Sequence, residues 1–196
     1  MKIYFAVCNF VVPLGIALGS ILSSVTLPTQ AVQVRGITYF TSPPRLVGAS
    51  TTQNYIYAWS VTYYFTLDVP ENAGEPLQKV TIAQNEGVDR VRFNLKETEA
   101  VEGDRNSNTK IGLGETTQDE KTKAITVNFN PPVAPGKRVT IALSPYQNPS
   151  SGGVYLFGVT AFPPGEPAYG QFLGFGRISI YEAGRDSFFF SPFFHR

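Results

Sequence analysis

The chemistry open to this chain is limited first by what it lacks. One His, one Cys and one Met occur in 196 residues. His195 lies one residue from the C-terminus, where a side chain is poorly held. A serine or cysteine nucleophile needs a base beside it, usually His, so that class of enzyme is not expected here. Zinc and copper sites draw on His, Cys and Met, and the same scarcity argues against them. Three kinds of group remain: carboxylates, oxygen ligands in a loop, and aromatic rings.

Two carboxylates can cleave a glycoside without His when they face each other at roughly 5–10 Å. Glu71 with Glu75, or Glu97, Glu99 and Glu102, are formal candidates. All fall in turn-rich or polar segments, where a solvated surface is the simpler account. A more ordered pattern is Asp104, Asn106, Asn108 and Glu115, with Ile111 between them. These side chains match the oxygen-ligand spacing of a calcium loop. The fit is incomplete, because Thr109 stands where the sharp turn wants Gly and no amphipathic helices flank the segment. Two of the ligands are neutral amides, so such a site would be weak. Gly170-Gln171-Phe172-Leu173-Gly174-Phe175-Gly176 is glycine-rich, but a phosphate loop needs a helix to open after it. The next residues, Arg177 to Tyr181, read as a strand, so the glycines mark a bulge or a close approach in a sheet.

The aromatic candidates are Tyr55, Tyr57 and Trp59, which alternate with Ile56 and Ala58. In an extended segment they would share one face, spaced about 6.6–7 Å apart. Such a row either packs as core, with the polar tips satisfied, or stacks on the sugar rings of an envelope glycan. The second reading requires exposed rings.

Strands must position these groups. Val61 to Val69 alternates apolar and polar residues with its odd positions inward, and Pro70 ends it. The same alternation recurs at Val80 and Ile82, at Val91, Phe93 and Leu95, at Ile125, Val127 and Phe129, and at Val139, Ile141 and Leu143. Pro/Gly/Asn-rich turns separate them, at Pro70–Gly74, Asn85–Gly87, Pro131–Gly136 and Asn148–Gly153. Val154 to Phe162 is apolar on both faces, which predicts a central strand buried between sheets, and Gly174 to Tyr181 is the last strand. Thr52 to Ser60 reads as strand or irregular structure, Glu97 to Glu102 as at most one helical turn, and Gly103 to Lys123 as a long exposed loop. The pattern predicts an all-β fold, a single immunoglobulin-like β-sandwich of seven to eight strands.

The ends of the chain read differently from its middle. Lys2, then the mostly apolar run Ile3–Leu22, then small residues at Thr29 and Ala31, predict a signal peptide over residues 1–31. An uncleaved anchor is its rival, since the run approaches the length that spans a bilayer. Cleavage would remove Cys8 and leave a domain without disulfides, held by its core alone. The sandwich is expected over residues 32–181 and an aromatic tail over 182–196, with Phe188, Phe189, Phe190, Phe193 and Phe194 folding back on the domain or meeting a partner or membrane. Sixteen basic against fifteen acidic residues give no field for phosphates, so nucleic acid is not an expected partner.

Tyr63-Tyr64-Phe65-Thr66-Leu67, Ala73-Gly74-Glu75-Pro76-Leu77-Gln78 and Asn130-Pro131-Pro132-Val133-Ala134-Pro135-Gly136 resemble a family of exported cyanobacterial proteins classed as a domain of unknown function. Asn148-Pro149, Gly153 to Pro163 and Phe172-Leu173-Gly174-Phe175-Gly176-Arg177 extend the resemblance from about Phe40 to Tyr181. The resemblance implies a cyanobacterial source, export and a sandwich-like fold, and brings no activity, ligand or catalytic residue. Taken together, the sequence predicts a non-catalytic, extracytoplasmic binding or structural module of the envelope, without a cofactor, whose partner is a glycan or protein. A carboxylate-only glycan-active enzyme and a calcium-dependent binding module are the alternatives.

Overall fold

The computed structural model describes residues 32–34 and 36–182; the expected signal peptide with Cys8, and the aromatic tail from residue 183 with His195, lie outside the described residues. Strands β1 (Val32–Val34) and β2 (Ile37–Tyr39) form a short antiparallel ribbon. The sandwich is built from β3 (Arg45–Thr51), β4 (Tyr63–Asp68), β5 (Leu77–Glu86), β6 (Phe93–Glu102), β7 (Leu113–Gln118), β8 (Ile125–Val133), β9 (Arg138–Pro145), β10 (Gly153–Phe162) and β11 (Gln171–Ile180). One sheet has the order β11-β10-β5-β8-β7 and the other β3-β4-β9-β6. All strand pairs are antiparallel, and no helix occurs among the described residues. The fold is therefore the all-β sandwich that the alternation predicts, with nine strands instead of seven or eight.

Period-2 geometry sends alternate residues of each strand to the space between the sheets. Tyr63, Phe65 and Leu67 of β4 are fully buried, as are Val139, Ile141 and Leu143 of β9 beside it. Val80 and Ile82 of β5, and Ile125, Val127 and Phe129 of β8, supply the facing layer. At its centre Tyr63, Phe65 and Phe93 each meet Phe157 edge to face, with ring centroids 5.7–6.2 Å apart. Each such side chain contributes roughly 1.5–3 kcal/mol by leaving water, enough over this core to dispense with disulfides.

Several local expectations are corrected. Glu97 to Glu102 is not a helical turn but part of β6, because Ala100 pairs with Ile141 and turns inward while Glu97 and Glu99 are exposed. Gly103 to Lys123 is not one loop, since β7 pairs with β8 along the sheet edge. β10 lies inside its sheet, between β5 and β11, but only one of its faces is buried: Val154 is exposed and Phe162 half-buried under the Lys79 ammonium. The glycine-rich stretch is a strand, as its continuation predicts. Leu173 is bulged out of the β10–β11 register, and Gly174 takes φ 117° beside it. A Cβ on Gly176 would stand 2.8 Å from Ala49 Cβ and 2.9 Å from the Phe65 ring, so β11 closes on β3 and β4 only because it has none.

Candidate binding cleft

The loop between β3 and β4 carries the three rings singled out by the sequence, and its path explains their position. Ala58 is the residue that turns inward, at 2% exposure. Tyr57 and Ser60 adopt left-handed φ values of 57° and 54°, each costing of order 1–3 kcal/mol for a residue with a side chain. Neighbouring groups hold that conformation in place. The Tyr57 amide donates to the Pro149 carbonyl at 3.1 Å, and Gln147 Nε2 donates to the Tyr57 carbonyl at 3.2 Å. Ile56 and Tyr181 are joined by backbone hydrogen bonding, Ile56 N–H to Tyr181 C=O at 2.9 Å.

Asn148 is the centre of this arrangement. It is 3% exposed, and each of its polar side-chain atoms is engaged. Its Nδ2 donates to the carbonyls of Gln53 at 3.0 Å and Tyr55 at 2.8 Å, while its Oδ1 accepts the Tyr63 hydroxyl at 2.9 Å. Its own amide donates to Ala58 C=O at 2.9 Å. Burial, with Tyr155 nearby, pushes the Tyr63 phenol well above its ordinary range, so it stays a neutral donor.

The extended row of Tyr55, Tyr57 and Trp59 is thus not formed, because the two left-handed residues curl the chain. The rings are not core either. Tyr55 is 46%, Tyr57 55% and Trp59 66% exposed. Tyr55 donates its hydroxyl to Gln53 Oε1 and bridges Tyr181 through its backbone. Trp59 instead lines a cavity of about 650 Å³ together with Tyr146, which is 58% exposed and comes directly after the last residue of β9. Arg90, Val91, Arg92 and Tyr146 line this cavity and also a second one of about 520 Å³, so the two are neighbours across one wall. The second reaches down to Ile82, Phe93, Ile125 and Phe157 at the end of the core. Both volumes are in the range of small-molecule sites.

The cleft is shaped by fixed loops. The Asp89 carboxylate accepts the Ser150 hydroxyl at 2.8 Å and the Ser151 amide at 2.9 Å, tying the β5–β6 turn to the β9–β10 turn. Those hydrogen bonds, the Ser150 hydroxyl foremost, hold its pKa below the ordinary 3.8. Gln84 Nε2 donates to Asp89 C=O at 2.7 Å, its Oε1 accepts the Val91 amide at 2.9 Å, and Arg90 Nη1 donates to Gln84 C=O at 2.8 Å. Tyr146 N–H donates to Arg92 C=O at 3.0 Å, which continues the β6–β9 pairing one residue past the buried Phe93 and Pro145.

The role of Tyr146 is not evident from alternation alone. Its signal is the phase itself: Val139, Ile141, Leu143 and Pro145 point inward, so position 146 faces outward, and the residue there is aromatic. Arg92 holds a polar position in the Val91, Phe93 and Leu95 alternation and Arg90 is not singled out by the sequence; the two flank Val91.

The calcium ligands are not gathered as a loop would gather them. Asp104 sits in the β6–β7 connection with its carboxylate on Arg138 Nη1 at 3.1 Å, where a cation is already present. Glu115 belongs to β7 in the opposite sheet, and its carbonyl accepts Asn128 Nδ2 at 2.7 Å. Asn108 lines a shallow hollow with Arg105 and Lys110, and Asn106 is exposed. Among the described residues no three His, Cys, Asp or Glu side chains converge to hold a metal. The carboxylate candidates are also dispersed. Glu99 pairs with Lys110 at 2.7 Å and Glu102 with Lys137. Glu97 lines a hollow on another side of Trp59. Glu71 and Glu75 stand in the β4–β5 loop, where burial raises the Glu75 carboxyl.

No curated protein matches the sequence. Solved structures to which the chain is similar include the collagen-binding domain of a Staphylococcus aureus adhesin, at 11% identity over 72% of this chain and 99% of that one, TM-score 0.36. A cohesin module from a Clostridium perfringens family 33 glycoside hydrolase matches at 12% identity over 71% and 99%, TM-score 0.34. A structure concerning fibronectin binding by enteroaggregative Escherichia coli AAF fimbriae matches at 11% identity over 71% and 100%, TM-score 0.31. The family model for proteins of unknown function, DUF2808, matches residues 37–180, which run from the first residue of β2 to the last of β11, and the chain belongs to that family.

Proposed function

We propose that this protein is a non-catalytic, extracytoplasmic module that binds an envelope glycan in the cleft walled by Trp59 and Tyr146. The observation that carries this reading is the pair of large rings, 66% and 58% exposed, on a backbone held by buried hydrogen bonds. Exposed aromatic faces on a rigid support stack on the apolar faces of sugar rings at little entropic cost. The Arg92 guanidinium and the Gln147 Oε1, which line the cleft and accept or donate no hydrogen bond within the described residues, offer the polar contacts that sugar hydroxyls require. Export rests on the leader-like run Ile3–Leu22. Binding without chemistry is supported by the one acid on the wall of the Trp59 cavity: Asp89 is kept ionised by its serine partners and is unsuited to act as a general acid.

The test is retention of the full chain on isolated cell-wall polysaccharide, comparing the wild type with Trp59→Ala and Tyr146→Ala. Both side chains are exposed, so the variants should melt with the wild type. Truncating a central aromatic contact costs roughly 2 kcal/mol, which lowers affinity by about thirtyfold. Equal retention of all three proteins, or of none, would overturn the proposal.

A further inference from the structure

We infer that the ligand of this cleft is an acidic polysaccharide, one bearing carboxylate, sulfate or phosphate groups, and that Arg92 and Lys121 read its charge. The inference rests on the glycan reading and adds the ligand class to it. Basic and acidic residues balance over the chain as a whole, sixteen against fifteen, so no general field favours anions. Around the second cavity the balance is lost. Arg90, Arg92, Lys121 and Lys123 all line it, and no carboxylate does. Among the described residues none of the four forms an ion pair with an acid of the protein.

The acids nearest in sequence, Asp89, Asp119 and Glu120, do not line this cavity, and the first two are taken up by the protein itself. Asp119 turns back on its own hairpin turn, accepting the Lys121 amide at 3.0 Å and the Thr122 amide at 2.7 Å. Asp89, on the wall of the first cavity, is taken up by Ser150 and Ser151. Arg90 spends one donor on the Gln84 carbonyl, whereas the Arg92 guanidinium has no hydrogen bond to the described residues and keeps its planar fork for a ligand. An arginine fork meets a carboxylate, sulfate or phosphate with two parallel bonds, and a lysine adds a point charge.

Tyr146 fixes where that charge lies relative to the rings. Its amide is bonded to the Arg92 carbonyl, and both residues border both cavities. A chain of sugars stacked on Trp59 and Tyr146 therefore passes next to Arg92 and runs on toward Lys121. Anionic substituents one residue beyond the stacked ring meet the cations within a Debye length, about 10 Å at 0.1 M salt, where attraction is largely unscreened.

The experiment compares an oligogalacturonate with the same oligomer after its carboxylates are reduced to alcohols, titrated by calorimetry into the full chain at low and high salt. The expected result is at least tenfold tighter binding of the acidic form at low salt, with the preference shrinking as salt rises. Arg92→Gln and Lys121→Gln, which alter exposed side chains only, should remove most of that preference. Trp59→Ala should weaken both forms together. Equal affinity for acidic and neutral oligomers would overturn the inference and leave the glycan reading standing. A preference that survives in the Arg92→Gln, Lys121→Gln double variant would overturn the assignment of these residues. Binding of neither oligomer would overturn the inference, while the glycan reading stands or falls by retention on cell-wall polysaccharide.

Discussion

At the scale of single residues the cleft depends on side chains whose polar atoms are spent on the protein itself. Asn148 spends both side-chain protons on the loop that carries Trp59 and takes the Tyr63 proton in return. Asn148→Ala would leave two carbonyls and a buried phenol without partners, each a loss of roughly 1–3 kcal/mol, and should lower unfolding stability by several kcal/mol. Chemical denaturation measures it, and a change below about 1 kcal/mol would mean that water replaces the amide. Asp89 is the second such residue. Its folded pKa lies below the unfolded value of 3.8, so its ionised form favours the closed loop above that value, and the contribution disappears as pH falls through the folded pKa. The Ser151 amide should therefore lose hydrogen-exchange protection, relative to its intrinsic rate, as the solution is taken below pH 3.8, while amides in the centre of β9 keep theirs. Equal protection of Ser151 in wild type and Asp89→Asn would show that the carboxylate does not hold the turn. The part of Trp59 was legible in the sequence only as one of three equivalent rings. Left-handed residues on either side of it, Tyr57 and Ser60, neither a glycine, break the extended row, and no local pattern announces them.

At the scale of elements, strands with an apolar alternation on one face were legible, and two of the four edge strands, β3 and β7, were not. β4, β8 and β9 lie inside their sheets, and the apolar positions of their alternation, Tyr63, Phe65 and Leu67, Ile125, Val127 and Phe129, and Val139, Ile141 and Leu143, are all buried. β3 and β7 are edges. In β3 the bulge at Val47 leaves that residue 52% exposed and shifts the phase between Leu46 and Ala49. β7 is built of Gly, Glu, Thr and Gln around a half-buried Leu113, which suits an edge that must not recruit another strand but hides it from a search for apolar alternation. β11 shows the opposite case, where glycine marks a close approach. Gly176→Ala should destabilise by about 1–3 kcal/mol, since the new methyl meets Ala49 and Phe65 below 3.0 Å. Gly48→Ala, with nothing within 4 Å, should change stability little. Thermal melts of the two variants decide it, and equal behaviour would show that β11 moves off β3 without strain.

At the scale of the whole molecule, the sandwich works as a rigid frame with its chemistry at one end. The β3–β4 loop, the β5–β6 turn, the start of β6 and the β9–β10 turn meet there, tied together by Asn148, Gln84 and Asp89. Trp59 and Tyr146 project from that frame, and the cations of the β5–β6 and β7–β8 turns lie alongside. Alternation could predict the frame because burial is a property of each strand. It could not predict the cleft, because Tyr146, Arg92 and Lys121 come from three separate parts of the chain and are joined only by the fold. Trp59 is also the single Trp of the sequence, so its fluorescence reports on the cleft and on nothing else. The most direct test of glycan binding at this site is therefore a titration of the full chain with solubilised cell-wall polysaccharide, read by tryptophan emission. A saturable blue shift, as a sugar ring displaces water from the exposed indole, is the predicted result. Retention on the polysaccharide with the emission unchanged throughout would contradict it.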